Sequence, residues 1–325
     1  MSESNQLGRY LLTLQELARL QGCEVAQLAE RFTAEELVSL PGNRRALSFE
    51  AVRRYLQQQG HTYRSLVVAH VNLRGGVGKT TSSISLATRA VEYGYRTCLL
   101  DLDPQASASL AFNAEAGEGQ PIFYDIWPQP AQIEAALVQI DPQLWLLPSS
   151  LDNTLLDSAL QRPADQKQAV GALCRQLQQL GFDLIVIDAP PALNTAVIST
   201  ICAVDLLVIP LAADSFSFRG VELTLQEVRS ICDAFGVTLP KIQTLLVRYD
   251  GREVLNRQAL ERLQRDYRDY QLPVHIRTST RLGRVLERRE TIFAESRKDP
   301  ARDDYDAYTR ELLSIQLSAF EGALE

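Results

Sequence analysis

The segment Leu73-Arg74-Gly75-Gly76-Val77-Gly78-Lys79-Thr80-Thr81 leaves this chain few folds to choose from. Residues 66–71 before it form an apolar run with the make-up of a buried parallel strand. Residues 83–87 after it open a helix, so the glycines fall at a strand-to-helix turn. In that setting main-chain N–H groups close around phosphates, Lys79 reaches the β and γ oxygens, and the Thr80 hydroxyl suits Mg²⁺. Thr81 adds a contact to the α-phosphate. The expected cradle is Gly75, Gly76, Val77, Gly78, Lys79, Thr80 and Thr81. The common form of this loop begins with a glycine where this chain has Leu73. The loop is therefore a variant, with a basic residue, Arg74, directly before the paired glycines.

Two further apolar runs end in acids. Residues 96–105 deliver Asp101 and Asp103 to a strand end, and residues 182–191 deliver Asp188 in the same way. Residues 203–211 form another buried run. Strands alternating with helical stretches predict an α/β fold: a doubly wound, mostly parallel sheet with phosphates bound at the carboxyl ends of its strands. Phosphoryl transfer needs positioning and charge neutralisation, so no covalent nucleophile is expected.

Taken together, these residues resemble the ParA/MinD family of P-loop ATPases, whose deviant Walker A motif reads Lys-Gly-Gly-x-Gly-Lys-Thr. Within that family the chain is most like the partition proteins. The resemblance runs from about residue 66 to near the C-terminus, includes residues 215–220, and is looser in the last third. It implies ATP and Mg²⁺ as cofactors, with Lys79 on the phosphates, Thr80 and Asp188 at Mg²⁺, and Asp101 near the Mg²⁺ shell. Asp103 matches the carboxylate that orients the attacking water. Arg74 stands where the family has a lysine that reaches the partner's phosphates across an ATP-bound homodimer. Two readings of Arg74 stay open. All but four of the 33 basic residues are arginine, so the change can be drift with the role retained. Alternatively, the different shape of a guanidinium alters or abolishes hydrolysis.

With 325 residues, 46% of them hydrophobic, the chain is long enough for one α/β domain and a small appendage. No apolar run approaches the length of a membrane span and the N-terminus has no signal-peptide pattern, so a cytoplasmic location is expected. The five cysteines are dispersed, which argues against disulfides and zinc. Cys98 lies inside a strand, which argues against the cluster-bridging role of related iron proteins. The three histidines have no metal-site spacing, and Trp127 and Trp145 read as packing residues.

Residues 1–62 form a separate unit in this reading, with the ATPase domain over 63–325. Leu17, Ala18, Gly22 and Leu28 have helix-turn-helix spacing, and residues 41–56 resemble the wing and following helix of MerR-type domains. That resemblance implies operator DNA as a ligand, with Arg44, Arg45, Arg53 and Arg54 gripping phosphates. A helical dimerisation arm is the alternative.

Net charge is −7, yet residues 241–298 hold 14 Lys or Arg against 8 Asp or Glu. Tyr249-Asp250-Gly251-Arg252 and Thr280-Arg281-Leu282 are similar to family segments that bind DNA without sequence preference. Arg252 and Arg281, extended by Arg277 and Arg284, are the expected contacts, against a plain solvated helix surface. Ile276-Arg277-Thr278 departs from the family's Ile-Pro-Arg. The acidic end, 314–325, argues against a membrane-binding helix. The resemblance implies a nucleoid-associated ATPase with slow turnover, stimulated by a ParB-type centromere-binding or cargo-adaptor protein. Positioning of a protein cargo, or transcriptional regulation with ATP as a ligand only, are the alternatives.

Overall fold

The computed structural model describes residues 10–214, 217–293 and 298–317. The described residues open with α1 (Leu14–Gln21), α2 (Val25–Ala29), the hairpin β1 (Leu37–Leu40) and β2 (Arg44–Leu47), and α3 (Phe49–Gln58). Thr13 caps α1 by accepting the Glu16 N–H, and Ser48 caps α3 by accepting the Ala51 N–H. Gly42 and Asn43 both take positive φ to turn the hairpin, a conformation that glycine and asparagine tolerate best.

Then follow β3 (Leu66–His70), α4 (Lys79–Glu92), β4 (Thr97–Asp101) and α5 (Ser107–Ala111). Two one-turn helices, α6 (Phe123–Ile126) and α7 (Ile133–Ala136), precede β5 (Val138–Asp141) and β6 (Leu144–Leu147). After α8 (Leu156–Ala159) and α9 (Pro163–Gln179), β7 (Leu184–Asp188) returns to the sheet. It is followed by α10 (Thr195–Ile201), β8 (Leu206–Ala212), α11 (Ser217–Phe235) and β9 (Lys241–Val247). The chain finishes with α12 (Val254–Asp266), α13 (Thr280–Glu287) and α14 (Pro300–Leu312).

The seven-stranded sheet has the order β5-β6-β4-β7-β3-β8-β9, and every pair is parallel except the edge hairpin β5/β6. Its central strands β4, β7, β3 and β8 are mostly apolar because both faces are covered. Successive residues divide between two cores. Val68, Leu184 and Val186 join one, while Val67, Ala69, Ile185 and Ile187 join the other. This is the doubly wound architecture expected from the sequence.

The N-terminal elements share the first core. Leu14, Leu17, Leu28, Leu47 and Leu56 cluster with Ile84, Ala87 and Val91 of α4 and with Tyr305 and Tyr308 of α14. Polar groups stitch the same seam. Arg53 forks onto Asp183 at 2.6 and 3.0 Å, donates to the Gly94 carbonyl and stacks 4.0 Å over Tyr63. Arg54 pairs with Glu36. Both arginines, expected to grip phosphates, are thus committed inside the chain, which moves that expectation to Arg44 and the exposed Arg45 at the hairpin. Deeper in the seam Arg89 is fully buried against Glu92, Asp306 and Glu16, and Arg302 also reaches Glu16. Among the described residues no helix is long and apolar enough to cross a membrane. The acidic tip, 318–325, lies outside the described residues.

Candidate nucleotide-binding site

Between β3 and α4 the chain makes a tight cradle. The buried Asn72 holds its base, donating to the Pro210 carbonyl at 2.8 Å and accepting the Arg74 N–H at 3.0 Å. Gly78 has φ of 86°, and a Cβ there would meet Val247 at 3.3 Å, so both conformation and close approach call for glycine. Helix α4 starts at Lys79, leaving the first-turn N–H groups directed at the loop, where they favour an anion. Lys79 is 6% exposed and donates to the Arg74 carbonyl at 3.0 Å. Burial pulls its ammonium pKa down, against the attraction of Asp188 and Asp103.

Over this cradle lies an open cleft of about 570 Å³. It is lined by Gly75, Gly76, Gly78, Lys79, Thr80 and Thr81 on one side and by Asp103, Gln105 and Ser107 on another. Of the cradle residues read from the sequence, Val77 alone points its side chain into the core.

Asp188 ends β7, in register with His70 on one side and Asp101 on the other. Its Oδ1 accepts from Ser83 Oγ at 3.2 Å, and the Thr80 hydroxyl also bonds to this carboxyl. Its Oδ2 is buried and has no hydrogen-bond partner among the described residues. Burial, reinforced by Asp101, pushes the Asp188 pKa up to about 8. A buried carboxyl oxygen short of a partner, beside a hydroxyl, is the donor set that a hard, water-carrying cation completes. The residues present therefore fit Mg²⁺, with Thr80 and Asp188 as those that would hold it.

Asp101, expected near the metal shell, stands beside Asp188 in the sheet. Its Oδ2 accepts both Ser109 N (2.8 Å) and Ser109 Oγ (2.7 Å), and its Oδ1 accepts the Asp103 N–H. Like Asp188 it is fully buried, and its bonds hold the turn that presents Asp103. Asp103 itself faces the cleft, 9% exposed, with Oδ1 accepting the Gln105 N–H at 3.0 Å.

Arg74 lies outside its own cleft. Its guanidinium pairs with Asp214, just before the undescribed residues 215 and 216 of the expected 215–220 segment. Two arginines that the sequence did not mark do line the cleft. Arg248 donates to the Gly76 carbonyl at 2.8 Å, and Arg289 reaches Asn113 and Glu115 from across the opening. Both have positive φ, at 55° and 56°, which a sequence does not announce.

The expected DNA contacts gather beyond β9. Tyr249 bridges Arg277, setting the two segments side by side, and α13 with Arg281 and Arg284 follows at once. Arg252 is 91% exposed and pairs only with its neighbour Asp250, a surface contact easily given up. Arg277 is gripped by Asp304 through side chain and backbone and also donates to the Pro300 carbonyl. Arg277 is thus tied to α14 while still half exposed, Arg281 is half-buried, and Arg252 and Arg284 are exposed.

A family model described as an AAA domain matches residues 65–268. The cell division protein PomZ of Myxococcus xanthus is 26% identical over 250 residues, covering 77% of this chain and 78% of that protein. The chromosome-partitioning ATPase Soj of Thermus thermophilus is 28% identical over 250 residues, 76% of this chain and 95% of that one. Among solved structures, the cobyrinic acid a,c-diamide synthase of Mycobacterium smegmatis with bound ATP analog and magnesium superposes with a TM-score of 0.63 at 27% identity. That match covers 77% of this chain and 94% of that chain. A phosphate cradle preceded by Arg74, two acid-tipped strands beside it and these likenesses converge: the chain belongs to the ParA/MinD family of P-loop ATPases, with ATP and Mg²⁺ as its cofactors.

Proposed function

We propose that this ATPase is a partition-type switch: ATP joins two copies, the dimer holds DNA without sequence preference, and hydrolysis releases it. The observation that carries this reading is the placement of Arg74. One chain supplies a cradle, Lys79 and Asp103, but directs its second loop cation away from its own cleft. A second copy facing the first would bring that cation to the phosphates. When bound, Mg²⁺ neutralises charge on the phosphate oxygens. The chain's own part is to grip phosphate through Lys79 and the α4 N-terminus, and to orient water through Asp103. ATP shifts the monomer–dimer balance only to the extent that it binds the dimer more tightly.

Arg74→Ala is expected to keep nucleotide binding while losing ATP-dependent dimerisation, as read by sedimentation with ATP and Mg²⁺. Arg74→Lys is expected to dimerise and hydrolyse at least as well as the wild type. A fall of about a hundredfold in Arg74→Lys would show instead that the guanidinium is specifically required, as arginine fingers contribute roughly 10³ to 10⁵ in rate.

Binding to random-sequence duplex DNA, compared with no nucleotide, with ADP and with ATP plus Mg²⁺, tests the DNA reading. Binding is expected with ATP alone, with a log–log salt slope of about −0.9 per neutralised phosphate, and is expected to be lost in an Arg252→Ala, Arg281→Ala double variant. Such a protein would sit on the nucleoid in the cytoplasm, turn over slowly, and be stimulated by a ParB-type adaptor. The similarity to a cell division protein favours a second reading, the positioning of a protein cargo. Absence of DNA binding in every nucleotide state would select it. The order helix, helix, hairpin, helix supports residues 1–62 as an operator-binding unit, with Arg44 and Arg45 at the hairpin.

A further inference from the structure

His70 is fully buried, yet it stands at the last position of β3, in register with Asp188. Both of its ring nitrogens are used. Nε2 lies 2.6 Å from the Tyr308 hydroxyl of α14, and Nδ1 lies 3.0 Å from Ser83 Oγ of α4. Ser83 Oγ in turn lies 3.2 Å from Asp188 Oδ1, and 3.1 Å from the Lys79 carbonyl. All four side chains are excluded from solvent.

One direction of donation satisfies the chain. Tyr308 donates to Nε2, Nδ1–H donates to Ser83 Oγ, and the single Ser83 hydrogen is shared between Asp188 Oδ1 and the Lys79 carbonyl. The reverse direction leaves the Tyr308 hydroxyl hydrogen without an acceptor among the described residues, which a buried site disfavours. The assigned direction fixes Asp188 through Oδ1 and leaves Oδ2 as the oxygen without a donor, the same atom found orphaned above.

We infer that Tyr308, His70 and Ser83 form a positioning relay that sets the Asp188 carboxylate for Mg²⁺ and ties its orientation to helix α14. The relay rests on the ATPase reading of the site, and it adds three residues that act through Asp188 and not on the nucleotide. Groups that orient a metal-holding carboxylate typically change metal affinity by about 10–100-fold when removed. The effect should therefore appear in Mg²⁺ dependence before it appears in nucleotide grip.

The test uses the full chain with a fluorescent N-methylanthraniloyl analogue of ATP, titrated with Mg²⁺ and, separately, bound in EDTA. Tyr308→Phe keeps the ring and removes the first donor. It is expected to raise the Mg²⁺ concentration for half-maximal response roughly tenfold, with nucleotide affinity in EDTA unchanged and the melting temperature lowered by a few degrees at most. Ser83→Ala, which cuts the relay at its other end, is expected to do the same, and combining it with Tyr308→Phe should add little. An unchanged Mg²⁺ midpoint in either single variant that is fully folded at the assay temperature overturns the relay. Equal losses with and without Mg²⁺ also overturn it, since they describe a purely structural role. A wild-type chain that shows no Mg²⁺ response, or a Lys79→Ala chain that binds as well as wild type, would instead bring down the reading of the site itself.

Discussion

Replacing Asp103 by alanine is expected to stop ATP turnover, by at least about 10²-fold, while leaving ATP and Mg²⁺ binding and ATP-dependent dimerisation intact. The separation follows from where Asp103 stands. It lines the cleft opposite the cradle. Its carboxylate accepts the Gln105 N–H, while its backbone N–H meets Asp101 and its carbonyl accepts Ser149 Oγ and the Ala106 N–H, bonds that alanine can keep. Nothing in the cradle depends on its carboxylate except a long-range attraction to Lys79. A phosphate-release assay and a sedimentation profile on the same preparation check both halves. Loss of dimerisation together with turnover would show that Asp103 builds the ATP-bound state and does not merely orient water. Asp101→Ala makes an instructive contrast. It strips the anchor from Ser109 and from the Asp103 turn, so it should lower activity and stability together.

Asp306→Ala is expected to destabilise the fold by about 3–5 kcal/mol, a drop in Tm of order 10 °C. Asp306 is 3% exposed and accepts from Arg89 Nε at 2.7 Å and Tyr93 OH at 2.6 Å, while Arg310 reaches its other oxygen. Removing it leaves the buried Arg89 guanidinium short of its main counter-charge, and breaking one partner of such a group is what makes the loss large. Acid should act in the same direction. Burial alone would raise the Asp306 pKa, but Arg89, Arg310 and the hydrogen bonds from Tyr93 and Arg89 outweigh it and hold it below its ordinary 3.8. A depressed carboxyl stabilises the fold at pH values above its unfolded pKa and loses that contribution as pH falls through the folded one. The gap in stability between wild type and Asp306→Ala should therefore be constant near neutrality and shrink only in strong acid. Thermal melts across pH check both the size and the sign.

The parts of this chain legible in its sequence share one property: they are local. A glycine cradle between an apolar run and a helix, and acids at the tips of apolar runs, carry their meaning within about ten residues. Lys79, Thr80 and Asp103 accordingly lie at the cleft, and Asp188 stands just behind it. Asp101 was harder, because its neighbour in space, Ser109, lies eight residues on and nothing in a carboxylate's identity says which way it faces. Arg53 was legible as an arginine but not as the partner of Asp183, 130 residues away. Arg248 and Arg289 reach the cleft from a left-handed backbone that composition does not reveal. His70 looked like one more core residue in a strand, and its partner Tyr308 lies 238 residues later. Long-range pairing, more than chemistry, separates what could be read from what could not.

Helix α4 spans 14 residues, Lys79 to Glu92, or about 21 Å at the usual rise. One tip faces the phosphate cradle; the other is locked through Arg89 to Glu16 of α1 and to Asp306 of α14. A straight helix is a stiff rod, so a tilt imposed at one tip must be absorbed at the other or resisted by the charges seated there. The N-terminal elements are in this sense a counterweight on the beam that carries the phosphate cradle. Cutting them away would do more than remove a neighbour: it would free the far end of that beam and bare the seam it rests on, so point substitutions on their outer surface are the way to ask what they do.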